Sequence, residues 1–88
     1  MKEGQSLLGE ILEGDPLTDR EIELLYLMAQ GKTAKTAGEE LFLSTDTVKG
    51  YNKRIVAKLG AKNMVNAVVL AIGTGVIDIG RIMDEREN

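Results

Sequence analysis

The stretch Ser44-Thr45-Asp46-Thr47-Val48-Lys49-Gly50-Tyr51-Asn52-Lys53-Arg54-Ile55-Val56-Ala57-Lys58-Leu59, residues 44–59, decides the reading of this chain. Ser44 is a helix N-cap residue with Thr47 at the third helical position. Asp46 in the first turn complements the helix dipole. Gly60 follows Leu59 where a left-handed C-terminal residue is expected. Val48, Asn52, Ile55 and Leu59 recur at helical spacing and form one largely apolar face. Asp46, Lys49, Gly50, Lys53 and Ala57 fall on the opposite face, which is small or basic. One face is built for a core and the other for a polar partner.

The segments before it supply that core. Thr18 with Glu21 forms a capping-box signature, and Leu17 and Ile22 sit where a hydrophobic staple places them. A first helix therefore runs to about Gln30, with Ile22, Leu25, Tyr26 and Ala29 at helical spacing, and stops at Gly31. Thr33 caps a second short helix that reaches about Leu41. The link Phe42-Leu43 is apolar and is expected to tuck into the core. A fourth helix is predicted from near Asn63 to Gly73 or Gly75. Its Ala67, Val68, Leu70 and Ala71 can fill a core, while Val65, Val69 and Ile72 form a second apolar stripe that calls for a second partner.

Upstream, Leu7, Leu8, Ile11 and Leu12 share one helical face, weakened by Gly4, Gly9 and Gly14. Asp15-Pro16 ends that segment, because the residue before proline disfavours helix. The charged stretch from Arg81 to Asn88 reads as a frayed tail. The expected organisation is an N-terminal extension over 1–15, an all-α four-helix domain over 16–78 and a charged C-terminal tail over 79–88. With 88 residues the chain has room for one domain.

Composition narrows the chemistry. The chain has neither Cys nor His. Thiol chemistry, disulfides, zinc-finger spacing and histidine acid–base catalysis are all excluded, and no carboxylates cluster in an evident cleft. No catalytic residue, metal ligand or cofactor site is expected, and the chain does not read as an enzyme. No basic segment followed by a long apolar run marks a signal peptide, and no stretch is long enough to span a bilayer. The expected compartment is the cytoplasm, with no membrane partner.

The net charge of −3 conceals a strong segregation. Residues 1–30 set Lys2 and Arg20 against seven acidic residues, net −5. Residues 31–62 set Lys32, Lys35, Lys49, Lys53, Arg54, Lys58 and Lys62 against Glu39, Glu40 and Asp46, net +4. Residues 63–88 carry net −2. A screening length of about 10 Å makes the local balance decide what a surface attracts. The positive charge sits around the third helix.

Two short helices joined by a tight link form the frame of a helix-turn-helix, whose second helix enters the major groove of DNA. Lys49 and Lys53 lie one turn apart on the outward face. Lys32, Lys35 and Lys58 flank it, and the hydroxyls of Thr33, Ser44 and Thr45 with nearby backbone N–H groups are neutral phosphate donors. From the residues alone, Lys49 and Lys53 also fit a plain solvated face. Ser44 also fits simple capping, and Val65, Val69 and Ile72 also fit burial in the same core.

Residues 17–25, Leu-Thr-Asp-Arg-Glu-Ile-Glu-Leu-Leu, resemble the opening of the LuxR-type (NarL/FixJ-type) DNA-binding domain. The resemblance continues through Gly31-Lys32-Thr33, Leu41-Phe42-Leu43-Ser44 and Thr47-Val48-Lys49. It closes with Lys58-Leu59-Gly60-Ala61-Lys62-Asn63, Ala67-Val68 and Gly75-Val76-Ile77. It runs from about Pro16 to Asp78 in one register, which makes the ordered set specific.

The resemblance implies a four-helix fold with the reading helix third. It implies base reading by Lys49, Gly50 and Lys53, and phosphate contacts from Lys32, Thr33, Lys35, Ser44, Thr45, Thr47, Tyr51, Arg54 and Lys58. It further implies a homodimer seam on the fourth helix through Val65, Val69 and Ile72. The chain departs from the family pattern at four places. Gly50 has no side chain to offer a base, Tyr51 stands where His is usual, Thr36-Ala37-Gly38 replaces Glu-Ile-Ala, and Met64 replaces Arg. These departures and the acidic N-terminal third imply weak or conditional binding.

The leading expectation is thus a bacterial or phage regulator of transcription that binds double-stranded DNA as a homodimer, with RNA polymerase or a larger regulator as further partner. The alternative is a protein-interaction module on the same scaffold that heterodimerises with a larger regulator. No receiver or ligand-binding domain fits ahead of Thr18, so control is expected from abundance, dimerisation, a partner or the N-terminal segment.

Overall fold

Capping chemistry sets the helix boundaries in the computed structural model, which describes residues 13–86. The helices are α1 (Asp19–Ala29), α2 (Ala34–Leu41), α3 (Thr45–Leu59), α4 (Met64–Gly73) and α5 (Ile79–Arg86). No strand is present among the described residues. The apolar stretch containing Leu7, Leu8, Ile11 and Leu12 lies outside them.

The Thr18 hydroxyl accepts from the Glu21 N–H at 3.1 Å, and the Glu21 carboxylate accepts from the Thr18 N–H at 2.8 Å. This is the full reciprocal box that the sequence predicts. Gly31 ends α1 with φ +92°, and the Lys32 N–H reaches back to the Leu27 carbonyl. Thr33 opens α2 with an equivalent box, in which Thr36 takes the place of the usual Glu. The departure at Thr36 therefore costs the helix start none of its hydrogen bonds. Ser44 opens α3 by accepting from the Thr47 N–H, and Gly60 ends it at φ +63°. Asn63 opens α4 by accepting from the Asn66 N–H.

Around α3 the other helices assemble a single aliphatic core. Leu24, Leu25, Ala37, Val48, Ile55, Ala67 and Ala71 are fully buried. The inward face of α3 packs on α1, α2 and α4 together. A buried Ile side chain contributes about 1.5–3 kcal/mol relative to exposure. Gly38 is essential to this closeness. A Cβ there would sit 2.5 Å from the Leu43 carbonyl oxygen and 3.4 Å from a Val48 methyl. The small residues of α2 thus bring the turn and α3 close, where the sequence suggested only lost core volume.

Two expectations are corrected. Phe42 does not tuck into the core. It caps α2 in the left-handed conformation, φ 61°, with the residue 94 % exposed, and only Leu43 of the pair packs inward. Successive residues of a turn point in different directions, so an apolar pair there need not share a fate. The second correction concerns the tail. Residues 79–86 form α5 instead of fraying, and Ile82 is buried. Asp78 starts this helix by accepting from the Arg81 N–H at 3.0 Å. The Tyr26 hydroxyl accepts from the Asp78 N–H at 2.9 Å, and the Arg81 guanidinium stacks 4.2 Å over the Tyr26 ring. One buried Ile, one cap and one aromatic on α1 hold a helix half of whose residues are charged.

Candidate nucleic-acid interface

The outward face of α3 follows from the burial of its inward face. With Val48 and Ile55 at zero exposure, residues half a turn away must face solvent. Lys49, Gly50, Lys53 and Arg54 are all exposed. Among the described residues neither Lys49 nor Lys53 makes an ion pair. Gly50 lies between them, and a Cβ there would meet nothing within 4 Å. The result is a backbone-smooth site flanked by two exposed ammonium groups. Arg54 sits 5.7 Å from the centroid of the half-buried Tyr51 ring, which steadies that guanidinium beside the same face.

The first turns of α2 and α3 present hydroxyls. In α3 the Ser44 hydroxyl donates to the Thr47 hydroxyl at 2.9 Å, which leaves the Thr47 O–H free to turn outward. Thr33 and Thr36 form a similar pair at 3.1 Å. Thr45 is the half-buried first residue of α3. Lys32 and Lys35 are tied to Glu40 at 3.3 Å and Glu39 at 3.7 Å. Surface pairs of this kind are worth at most about 1 kcal/mol, so both lysines can exchange partners for an anion.

Lys58 is different. Its ammonium lies 2.8 Å from the Glu21 carboxylate and also donates to the Pro16 carbonyl at 3.1 Å. Its side chain is only 12 % exposed and that of Glu21 only 2 %. Expected as a phosphate ligand, Lys58 instead neutralises a buried capping carboxylate and clamps α3 to the start of α1. The sequence shows Glu21 as a capping residue and nothing more. Its second role joins residues 37 positions apart, and no local pattern reports it.

Further features of the interface were not legible in the sequence. The Asn52 amide oxygen is buried without a hydrogen-bond partner among the described residues. Beside it, Asn52, Lys53, Val56 and Ala57 line a groove of about 360 Å³ on α3. On α4, Val65 and Val69 are 76 % and 59 % exposed, whereas Ile72 packs partly against the core. The expected three-residue stripe is therefore divided, two residues facing outward and one half inward. A second groove, of about 350 Å³, runs between α1 and α4 past Met28, Ala29, Met64, Val65 and Val69. No single helix among the described residues is long and apolar enough to cross a membrane.

Residues 15–71 match the family described as bacterial regulatory proteins, luxR family (GerE). The chain is 45 % identical over 56 residues to the transcriptional regulatory protein DesR of Bacillus subtilis, covering 64 % of this chain and 28 % of DesR. Its identity to the transcriptional regulatory protein LiaR of the same species is 45 % over 60 residues, covering 68 % of this chain and 28 % of LiaR. Against the DNA-binding transcriptional activator DevR/DosR of Mycobacterium tuberculosis it is 41 % over 68 residues, covering 74 % of this chain and 31 % of that protein. The chain thus spans less than a third of the length of these relatives. The match takes in all of α1 to α3 and most of α4, with the exposed lysine face at its centre. The chain belongs to the luxR family of bacterial regulatory proteins, a family of regulators and not of enzymes.

Proposed function

We propose that this chain is a sequence-specific DNA-binding regulator of transcription, acting as a homodimer, with α3 laid in the major groove. The observation that carries this reading is the outward face of α3, where Lys49 and Lys53 stand exposed on either side of Gly50, without an ion pair among the described residues. In this reading Lys49 and Lys53 reach base edges, and the bare backbone at Gly50 lets the helix approach closely. Lys32, Thr33, Lys35, Ser44, Thr45, Thr47, Tyr51 and Arg54 position the domain on phosphates. The cytoplasm, where bacterial DNA lies, is the corresponding compartment. Relatives whose names describe transcriptional regulation support the same reading.

The outward valines of α4 support pairing of two copies, and the two-fold symmetry of such a pair predicts half-sites about one helical turn, or a multiple, apart. Selection of bound duplexes from a random pool tests binding, site and spacing together. Recovery of two related half-sites is expected, and a pool that stays random defeats the reading. RNA polymerase or a larger regulator is a further expected partner of the bound dimer.

A second reading draws on the net charge of −3 and the exposed Val65 and Val69. Here the domain heterodimerises with a larger regulator through α4 and modulates it without tight DNA contact of its own. Gel shifts with genomic fragments separate the two readings, since only the first expects a retarded band from this chain alone.

A further inference from the structure

The buried side of α3 fixes which of its residues lie farthest from the core. Asp46, Gly50 and Lys53 recur at i, i+4 and i+7, about half a turn from Val48 and Ile55, and all three are exposed. They form the midline of the outward face. Asp46 is the member in the first turn, in the N-terminal part of a reading helix that meets base edges. The fold does not use its carboxylate for a contact. Ser44 supplies the cap of α3 by accepting from the Thr47 N–H at 3.1 Å. Among the described residues the Asp46 side chain makes no hydrogen bond and no ion pair, although Lys49 lies three residues on. Gly50, one turn further along the midline, has no side chain to meet it.

We infer that Asp46 is a specificity-determining residue that accepts a hydrogen bond from the N4 amine of a cytosine in each half-site. The inference rests on the major-groove reading of α3 and names what that face selects. An ionised carboxylate can only accept. In the major groove guanine N7 and O6 and thymine O4 are acceptors, which repel it. Adenine sets its N6 amine beside the N7 acceptor, a pair that suits an amide. Cytosine alone offers an amine with no acceptor on the same base edge. Lys49, roughly 5–6 Å away on the helix surface, is placed for guanine acceptors nearby. The carboxylate also faces a polyanion, so a duplex that lacks the cytosine meets an uncompensated negative charge. Asp46 thereby raises discrimination and lowers affinity for DNA in general. A first-turn carboxylate complements the helix dipole as well, and the test separates the two roles.

Duplexes are selected from a random pool by the native chain, by Asp46→Ala and by Asp46→Asn. The native chain should enrich a cytosine at one position of each half-site. Asp46→Ala should enrich the same site with that position random and should bind unrelated duplexes more tightly. Asp46→Asn should move the preference there from cytosine to adenine, a change that a dipole role alone does not produce. The native site is then rebuilt with a 2-pyrimidinone nucleoside, which lacks the 4-amino group, in place of that cytosine. The native chain should lose roughly 5- to 150-fold in affinity, whereas Asp46→Ala should not distinguish the two duplexes. Variants that unfold at a lower midpoint yet enrich the native site leave Asp46 a helix-dipole residue and overturn the inference, while the major-groove reading stands. Native affinity that is indifferent to the amine overturns it in the same way. If the native pool stays random, the major-groove reading falls and this inference falls with it.

Discussion

Lys49 and Lys58 lie on the same helix, nine residues apart, and carry the same charge, yet the fold uses them in opposite ways. Lys49 stands in solvent without an ion pair among the described residues, available to whatever approaches. Lys58 is sunk against Glu21 and the Pro16 carbonyl and is available to nothing. The first half of α3 presents a surface, and its last turn is a fastening. The difference teaches that a basic helix cannot be read as a uniform basic face. What lies opposite each residue after packing decides whether a charge is a ligand or a structural part.

Lys58→Met should give the largest effect. It leaves the Glu21 carboxylate buried without its cation, and breaking such a pair costs about 3 kcal/mol. A lower denaturant midpoint at unchanged slope is the expected readout. The folded fraction should keep its DNA affinity. A protein of native stability with weakened DNA binding would reverse the assignment of Lys58. Lys49→Ala sharpens the other side of the comparison. Stability should change by no more than about 0.5 kcal/mol. Discrimination between the selected site and a one-base variant should fall by about 1–3 kcal/mol, measured by competitive titration.

Asn52→Val tests the boundary between the two halves. Removing an amide oxygen that is buried without a partner among the described residues should stabilise the domain by about 1 kcal/mol, read as a raised unfolding midpoint. Gly50→Ala should raise stability by up to about 1 kcal/mol through helix propensity, since the new methyl meets nothing within 4 Å. If the bare backbone there serves close approach to DNA, affinity falls as stability rises. Affinity unchanged by the methyl would show that the duplex does not come that near. Lys35→Ala gives the smallest change, with affinity lowered alike for all sequences and the salt slope reduced by about one.

Most of the helical frame was legible because helix ends are local chemistry. Thr18 with Glu21, Thr33, Ser44, Gly31 and Gly60 each act within a few residues, so their spacing alone predicts the boundaries of α1, α2 and α3. The outward position of Lys49, Gly50 and Lys53 was legible for a related reason. It follows from the 3.6-residue period once Val48 and Ile55 are taken as inward. The fourth helix was legible from Asn63 and the largely apolar run of residues 64–72 in the same way.

The misreadings lie where a residue's environment is made by distant chain. Phe42 looked like core because it is apolar, but the left-handed turn that closes α2 points its ring into solvent. Residues 79–86 looked like tail because they are charged, but Tyr26, more than 50 residues earlier, supplies a hydroxyl for the first turn and a ring for Arg81. The Val65/Val69/Ile72 stripe looked uniform, yet the approach of neighbouring elements buries its last member in part and leaves the first two outside.

The sequence by itself determined where α1 to α4 begin and end, which face of α3 turns inward, and which family the domain resembles. All of these depend on neighbours within one or two turns. Only the tertiary structure decided which positive charges remain available, that Gly38 is needed for close packing, and that a fifth helix closes the domain. Those outcomes depend on which side chains meet across the core. The hydrophobic effect that drives the meeting is non-directional and leaves no mark in local spacing.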